Sequence, residues 1–98
     1  MLFKICGLKD EETVICCEQN KVDFFGMIFY EKSARNIDII EAKRLTDISN
    51  NLNIQPVGVF VNHNIDTLKK IILFLNLQFI QLHGEENQSY IDAIKSQF

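Results

Sequence analysis

Lys4-Ile-Cys-Gly7 puts a thiol near the end of a short apolar run, just before a glycine and a helix start. A cysteine so placed is a candidate for chemistry through its thiolate. Three more strand-like runs, 24–29, 57–61 and 79–82, each end in polar residues. These are the loop 30–38 with Arg35, the turn Asn62-His63-Asn64, and His83-Gly84-Glu85-Glu86. Gln81 and His83 share one strand face, opposite Ile80 and Leu82, because successive side chains point to opposite sides. In a parallel βα array, the carboxyl ends of the strands are where such groups converge on a ligand.

The elements that must carry these groups follow from periodicity. Residues 2–6 are apolar and β-prone apart from Lys4. Asp10 reads as an N-cap with Glu11 and Glu12 in the first turn. Val14, Ile15 and Cys17 or Cys16 then face inward from a helix ending near Asn20. Ala42, Leu45, Ile48 and Leu52 recur at steps of three or four, which predicts a second helix over 39–52. The only proline, Pro56, stands just ahead of the strand 57–61. A third helix over about 66–75 buries Leu68, Ile71, Ile72 and Leu75, and a fourth covers 87–95.

Four βα units in strict alternation predict a parallel sheet with right-handed crossovers. Two architectures fit. One is a small doubly wound sheet covered on both faces; the other is a (βα)4 half of an eight-fold TIM barrel, with helices on the outer face. A whole barrel takes about 200–250 residues, so residues 1–98 would form a single partial domain.

Composition narrows the class. A chain of 98 residues, 47% hydrophobic and 23% charged, reads as globular rather than disordered. With a net charge of −3 and no basic stripe, a nucleic-acid partner is not expected. No apolar run reaches the roughly 18–20 residues of a membrane span, and the first residues lack the order of a signal peptide. Cys6, Cys16 and Cys17 include no CxxC pair, which reads as a reduced, cytoplasmic protein. His63 and His83, without further ligands at zinc spacing, argue against a structural metal.

The strand ends carry a resemblance. Lys4-Ile-Cys-Gly7, Phe25-Gly-Met-Ile-Phe-Tyr-Glu-Lys-Ser-Ala-Arg35, Val57-Gly-Val-Phe-Val-Asn62 and Gln81-Leu-His-Gly-Glu85 resemble, in order, the first four strand ends of the phosphoribosylanthranilate isomerase family. These are barrel enzymes of tryptophan biosynthesis. The likeness spans the chain but only the amino-terminal half of the family's length. Glu31 and Ala34 stand where the family usually has prolines, which would loosen the loop carrying Arg35. Asn20-Lys21 replaces a common Gly-Ala, with Asn20 expected to adopt the left-handed cap.

The resemblance implies an Amadori rearrangement of N-(5-phosphoribosyl)anthranilate to 1-(2-carboxyphenylamino)-1-deoxyribulose 5-phosphate, with no metal or organic cofactor. It implies Cys6 as general base and Arg35 as the holder of the anthranilate carboxylate. On the residues' own chemistry, Lys4 lies one pleat below Cys6 and would favour its thiolate. His83 is read as supporting or touching the substrate, with Gln81 beside it and Asn62 lining the pocket. The family's general acid, an aspartate ending the fifth strand, and its phosphate site after strands seven and eight fall outside these residues. The chain alone is therefore expected to be inactive, and to pair with a carboxyl-terminal half-barrel or with itself.

Each residue also has a plainer reading. A free cysteine is most often a small buried core residue, and a loop arginine is usually solvated. Lys4 could lie in solvent, or meet a carboxylate of the missing half. His83 could be satisfied by backbone, and Cys16-Cys17 are assigned to helix packing. Two non-enzymatic readings stay open: a doubly wound binding module, and a non-catalytic half-barrel.

Overall fold

The structure, a computed structural model, describes residues 2–84 and 86–95. Glu85, part of the loop read after the fourth strand, lies outside them. The order is β1 (Lys4–Cys6), α1 (Glu11–Gln19), β2 (Phe24–Phe29), α2 (Ile39–Ser49), β3 (Gln55–Phe60), α3 (Ile65–Leu75), β4 (Phe79–Leu82) and α4 (Gln88–Lys95). Strands pair in parallel as one sheet of order β1-β2-β3-β4. Right-handed crossovers that always step the same way leave every helix on one face. A doubly wound sheet instead reverses direction at a switch point, so that architecture is excluded. Helices α1 to α4 pack as successive neighbours, as a single outer layer requires.

Short polar side chains start all four helices, Asn87 accepting from the Tyr90 N–H at 2.9 Å at the head of α4. Asp10 accepts from the Thr13 N–H at 2.8 Å, Asp38 from Glu41 at 2.9 Å, and Asn64 from Asp66 at 2.8 Å. At the end of α1 the left-handed residue is Lys21 (φ 61°), whereas Asn20 sits at φ −94°. The cap expected at Asn20 is therefore displaced by one residue. Helix α2 stops at Ser49 rather than at 52, and the Asn51 and Leu52 N–H groups close tight turns onto Ile48 and Ser49.

Strand β3 begins two residues earlier than expected and includes Pro56. The reason is local. The Gln55 N–H points at β2, bonding Asp23 at 2.9 Å, so the Pro56 nitrogen faces the β4 side. Pairing with β4 starts only at Val57↔Phe79, so no ladder bond is lost there.

The core lies between sheet and helices. Phe25, Met27 and Phe60 are fully buried there against Val14, Leu45 and Leu68. The Phe29 and Phe60 rings stack at 5.2 Å. Each such side chain contributes about 1.5–3 kcal/mol through burial.

The opposite face is concave. Phe24 and Phe79 lie two strands apart, about 9.6 Å in a flat sheet, yet their rings meet edge-on at 5.2 Å. Lys4 Nζ donates to Gln81 Oε1 from three strands away. Curvature toward this face brings those side chains within reach.

Candidate active site

The sulfur of Cys6 lies on the concave face, away from the helices. Cys6 pairs with Gly26, and a Cβ at Gly26 would come within 2.8 Å of Sγ. The glycine leaves the space that the thiol fills. Directly beyond, Gly7 takes φ +86°, and the Arg35 side chain lies across it; a Cβ there would meet Arg35 Cδ at 2.6 Å. Arg35 Nη1 donates to the Cys6 carbonyl at 3.4 Å. Strand end and loop thus place the guanidinium against the Cys6–Gly7 backbone.

The loop that delivers Arg35 is closed by hydrogen bonds. Asn36 Oδ1 accepts from the Tyr30 N–H at 2.8 Å, and Ile37 N–H reaches Ile28 at 3.0 Å. Ser33 Oγ accepts from the Arg35 N–H at 3.1 Å. These bonds define the loop despite Glu31 and Ala34 in place of prolines.

Lys4, Gln81 and His83 form a polar chain on the same face. Gln81 Oε1 accepts from Lys4, and Gln81 Nε2 lies 3.3 Å from His83 Nδ1. Direct register pairs Cys6 with Gly26, Val57 and Phe79. Strand tilt in a barrel shifts equal heights by about one residue per strand, which lifts the β4 level toward Gln81 and His83. With Lys4 touching Gln81, the residues two further along, Cys6 and His83, occupy the next layer toward the mouth. The ammonium of Lys4 bonds Gln81, so within the described residues its partner is an amide.

Asn62, at φ 51°, ends the third strand loop. Its amide packs on Gly84, where a Cβ would come within 2.6 Å of Asn62 Oδ1. Glu86 ties the two loops together: one carboxylate oxygen accepts from Asn62 N–H at 2.7 Å and the other from Gly84 N–H at 2.8 Å. Burial alone would raise the Glu86 pKa, but the N–H groups of Asn62, Glu86 and Gly84, with His63 nearby, hold it below the usual range. Tyr90 Oη donates to the His63 carbonyl at 2.7 Å, and burial, then Glu86, pushes its phenol up. A cleft of about 400 Å³ opens between the loops after β2 and β3, lined by Phe29, Tyr30, Lys32, Asn36, Asn62 and His63. Of the residues expected at the site, only Asn62 lines it.

The other two cysteines sit on α1. Cys17 is buried, and burial, then its neighbour Cys16, pushes its thiol up. Cys16 is exposed, so the assignment to helix packing holds for Cys17 alone.

The family model for N-(5'phosphoribosyl)anthranilate (PRA) isomerase matches residues 3–98. The chain belongs to that family. It is 38% identical to the N-(5'-phosphoribosyl)anthranilate isomerase of Clostridium acetobutylicum over 93 residues, covering 95% of this chain and 44% of the relative. Phosphoribosyl anthranilate isomerase from Thermotoga maritima superposes with a TM-score of 0.92 at 30% identity, over 100% of this chain and 48% of that one. A phosphoribosyl anthranilate isomerase in complex with reduced 1-(o-carboxyphenylamino)-1-deoxyribulose 5-phosphate gives 0.91 at 30% identity, over 100% and 50%. The chain spans about half the length of these isomerases, as a (βα)4 half of a TIM barrel does.

Sequence reasoning about this half-barrel missed Gly26 and Glu86. A glycine inside a strand is itself a sign of close approach, and Gly26 carried it unread. Glu86 follows Glu85 directly, and nothing in their order distinguishes the one that reaches back to Asn62. No helix among the described residues is long and apolar enough to cross a membrane.

Proposed function

We propose that this chain supplies the amino-terminal half of a cytoplasmic isomerase that performs the Amadori rearrangement of N-(5-phosphoribosyl)anthranilate. An acid from the carboxyl-terminal half protonates the ribose ring oxygen, and the C1′–O bond breaks to leave an iminium. The thiolate of Cys6 takes the C2′ proton, and the released electron pair neutralises the nitrogen. The resulting enolamine tautomerises to 1-(2-carboxyphenylamino)-1-deoxyribulose 5-phosphate. The substrate's own nitrogen is the electron sink, so neither metal nor organic cofactor takes part.

Arg35 holds the anthranilate carboxylate with its planar fork of donors. Lys4 favours the thiolate of Cys6 through its charge, while His83, Gln81 and Asn62 line the substrate's side of the face. The carrying observation is the placement of Cys6 Sγ on the concave face over Gly26, with the Arg35 side chain laid across Gly7 beside it. The half-barrel leaves β1 and β4 as open edges, which a carboxyl-terminal half would pair.

The test mixes this chain with the carboxyl-terminal half of the Clostridium acetobutylicum relative and follows substrate conversion. Turnover is expected from the mixture and from neither half alone. A stable one-to-one complex that converts no substrate contradicts the proposal.

A further inference from the structure

We propose that Lys4 is a positioning residue that acts through Gln81 to fix the tautomer of His83, with the ring proton on Nε2. An ammonium has only donors, so the Gln81 atom facing Lys4 must be the carbonyl oxygen Oε1. That choice leaves the amide Nε2, which can only donate, 3.3 Å from His83 Nδ1. Nδ1 must therefore accept, and the neutral ring carries its hydrogen on Nε2. Without Lys4 the amide could turn over by half a rotation and serve the other tautomer equally well.

The consequence is directional. His83 stands one layer beyond Gln81 on the concave face and is exposed. The side of its ring away from Gln81 offers an N–H donor, which fits an acceptor oxygen: a carboxylate or a sugar oxygen, not a substrate N–H. Only the identity of that oxygen rests on the isomerase reading; the tautomer does not. Lys4 thus acts at a distance from the atom it controls, through one side-chain amide.

The measurement is a long-range proton–nitrogen correlation spectrum of this chain labelled with 15N-histidine at neutral pH, with His83→Gln assigning the two rings. The Nε2–H form of His83 is expected to dominate by about tenfold. Lys4→Met should lower that ratio severalfold, and Lys4→Arg, which keeps a donor, should restore it. Gln81→Glu, which presents only acceptors to the ring, should invert it in favour of Nδ1–H. A wild-type ring mainly in the Nδ1–H form overturns the proposal, and needs no variant to fold. So does an unchanged ratio in Lys4→Met whose amide spectrum remains native. Because no substrate is present, these outcomes stand apart from success or failure of the isomerase assay.

Discussion

The two faces of the sheet are built on opposite terms. The helix-facing side is dry and closed: Phe25, Met27 and Phe60 reach full burial within the chain itself. The concave side mixes buried Val57 and Val59 with Lys4, Cys6, Gln81 and His83, and leaves Phe79 42% exposed. The first face supplies the stability of the chain. The second spends apolar surface on polar groups that only a further layer can enclose. A barrel half is thus a finished outside around an unfinished inside, and the candidate chemistry lies on the unfinished part.

The largest expected effect tests that asymmetry. Phe60→Ala should destabilise the chain by about 3–5 kcal/mol in urea denaturation, since it opens a cavity in the closed core. Phe79→Ala, on the open face, should cost about 1 kcal/mol or less in this chain, because much of the ring is already in water. Equal costs would show that the two faces do not differ as described. On binding a carboxyl-terminal half, the cost at Phe79 should rise.

Gly26→Ala sharpens the account of the concave side. The new Cβ would press on Cys6 Sγ, so either the thiol or the strand must shift, at about 1–3 kcal/mol. The alkylation rate of Cys6 should change, whereas that of buried Cys17 should remain the slow internal reference. An unaltered Cys6 rate at unaltered stability would mean the thiol does not lie on that glycine.

Glu86→Gln should have the smallest effect on stability, about 1 kcal/mol, as one acceptor oxygen and the charge are lost. Its pH dependence is the informative part. The folded pKa of Glu86 lies below its unfolded value, so its stabilisation is complete above the ordinary carboxylate range. It fades as pH falls through the lowered folded value. The gap between wild type and Glu86→Gln should therefore be widest near neutrality and narrow progressively as pH falls below the ordinary carboxylate range. A gap that widens in acid would contradict the bonds to Asn62 and Gly84.

Much of this architecture was legible in the residues. Apolar runs bounded by polar loops located all of the strands, and Asp10 marked the start of α1 before any contact was known. The departures turn on contacts that the order of residues does not display. Whether Pro56 can join β3 depends on where β4 begins pairing. Whether Asn20 or Lys21 turns left-handed depends on how Val22 N–H reaches Cys17, at 3.0 Å. Lys4, read as solvated or as meeting a carboxylate of a second half, is exposed and also bonds Gln81 across the curved face. The side of the sheet that Cys6 faces was readable from alternation; the clearance at Gly26 that admits its sulfur was not read.

The proposed role of Cys6 is to remove a proton in a barrel completed by a second half. The direct measurement is turnover by the complemented enzyme carrying Cys6→Ala, alongside its affinity for reduced 1-(o-carboxyphenylamino)-1-deoxyribulose 5-phosphate. A loss of kcat of about 10²–10⁴-fold is expected, with affinity held within a few-fold. Turnover equal to that of the unsubstituted complex would contradict it.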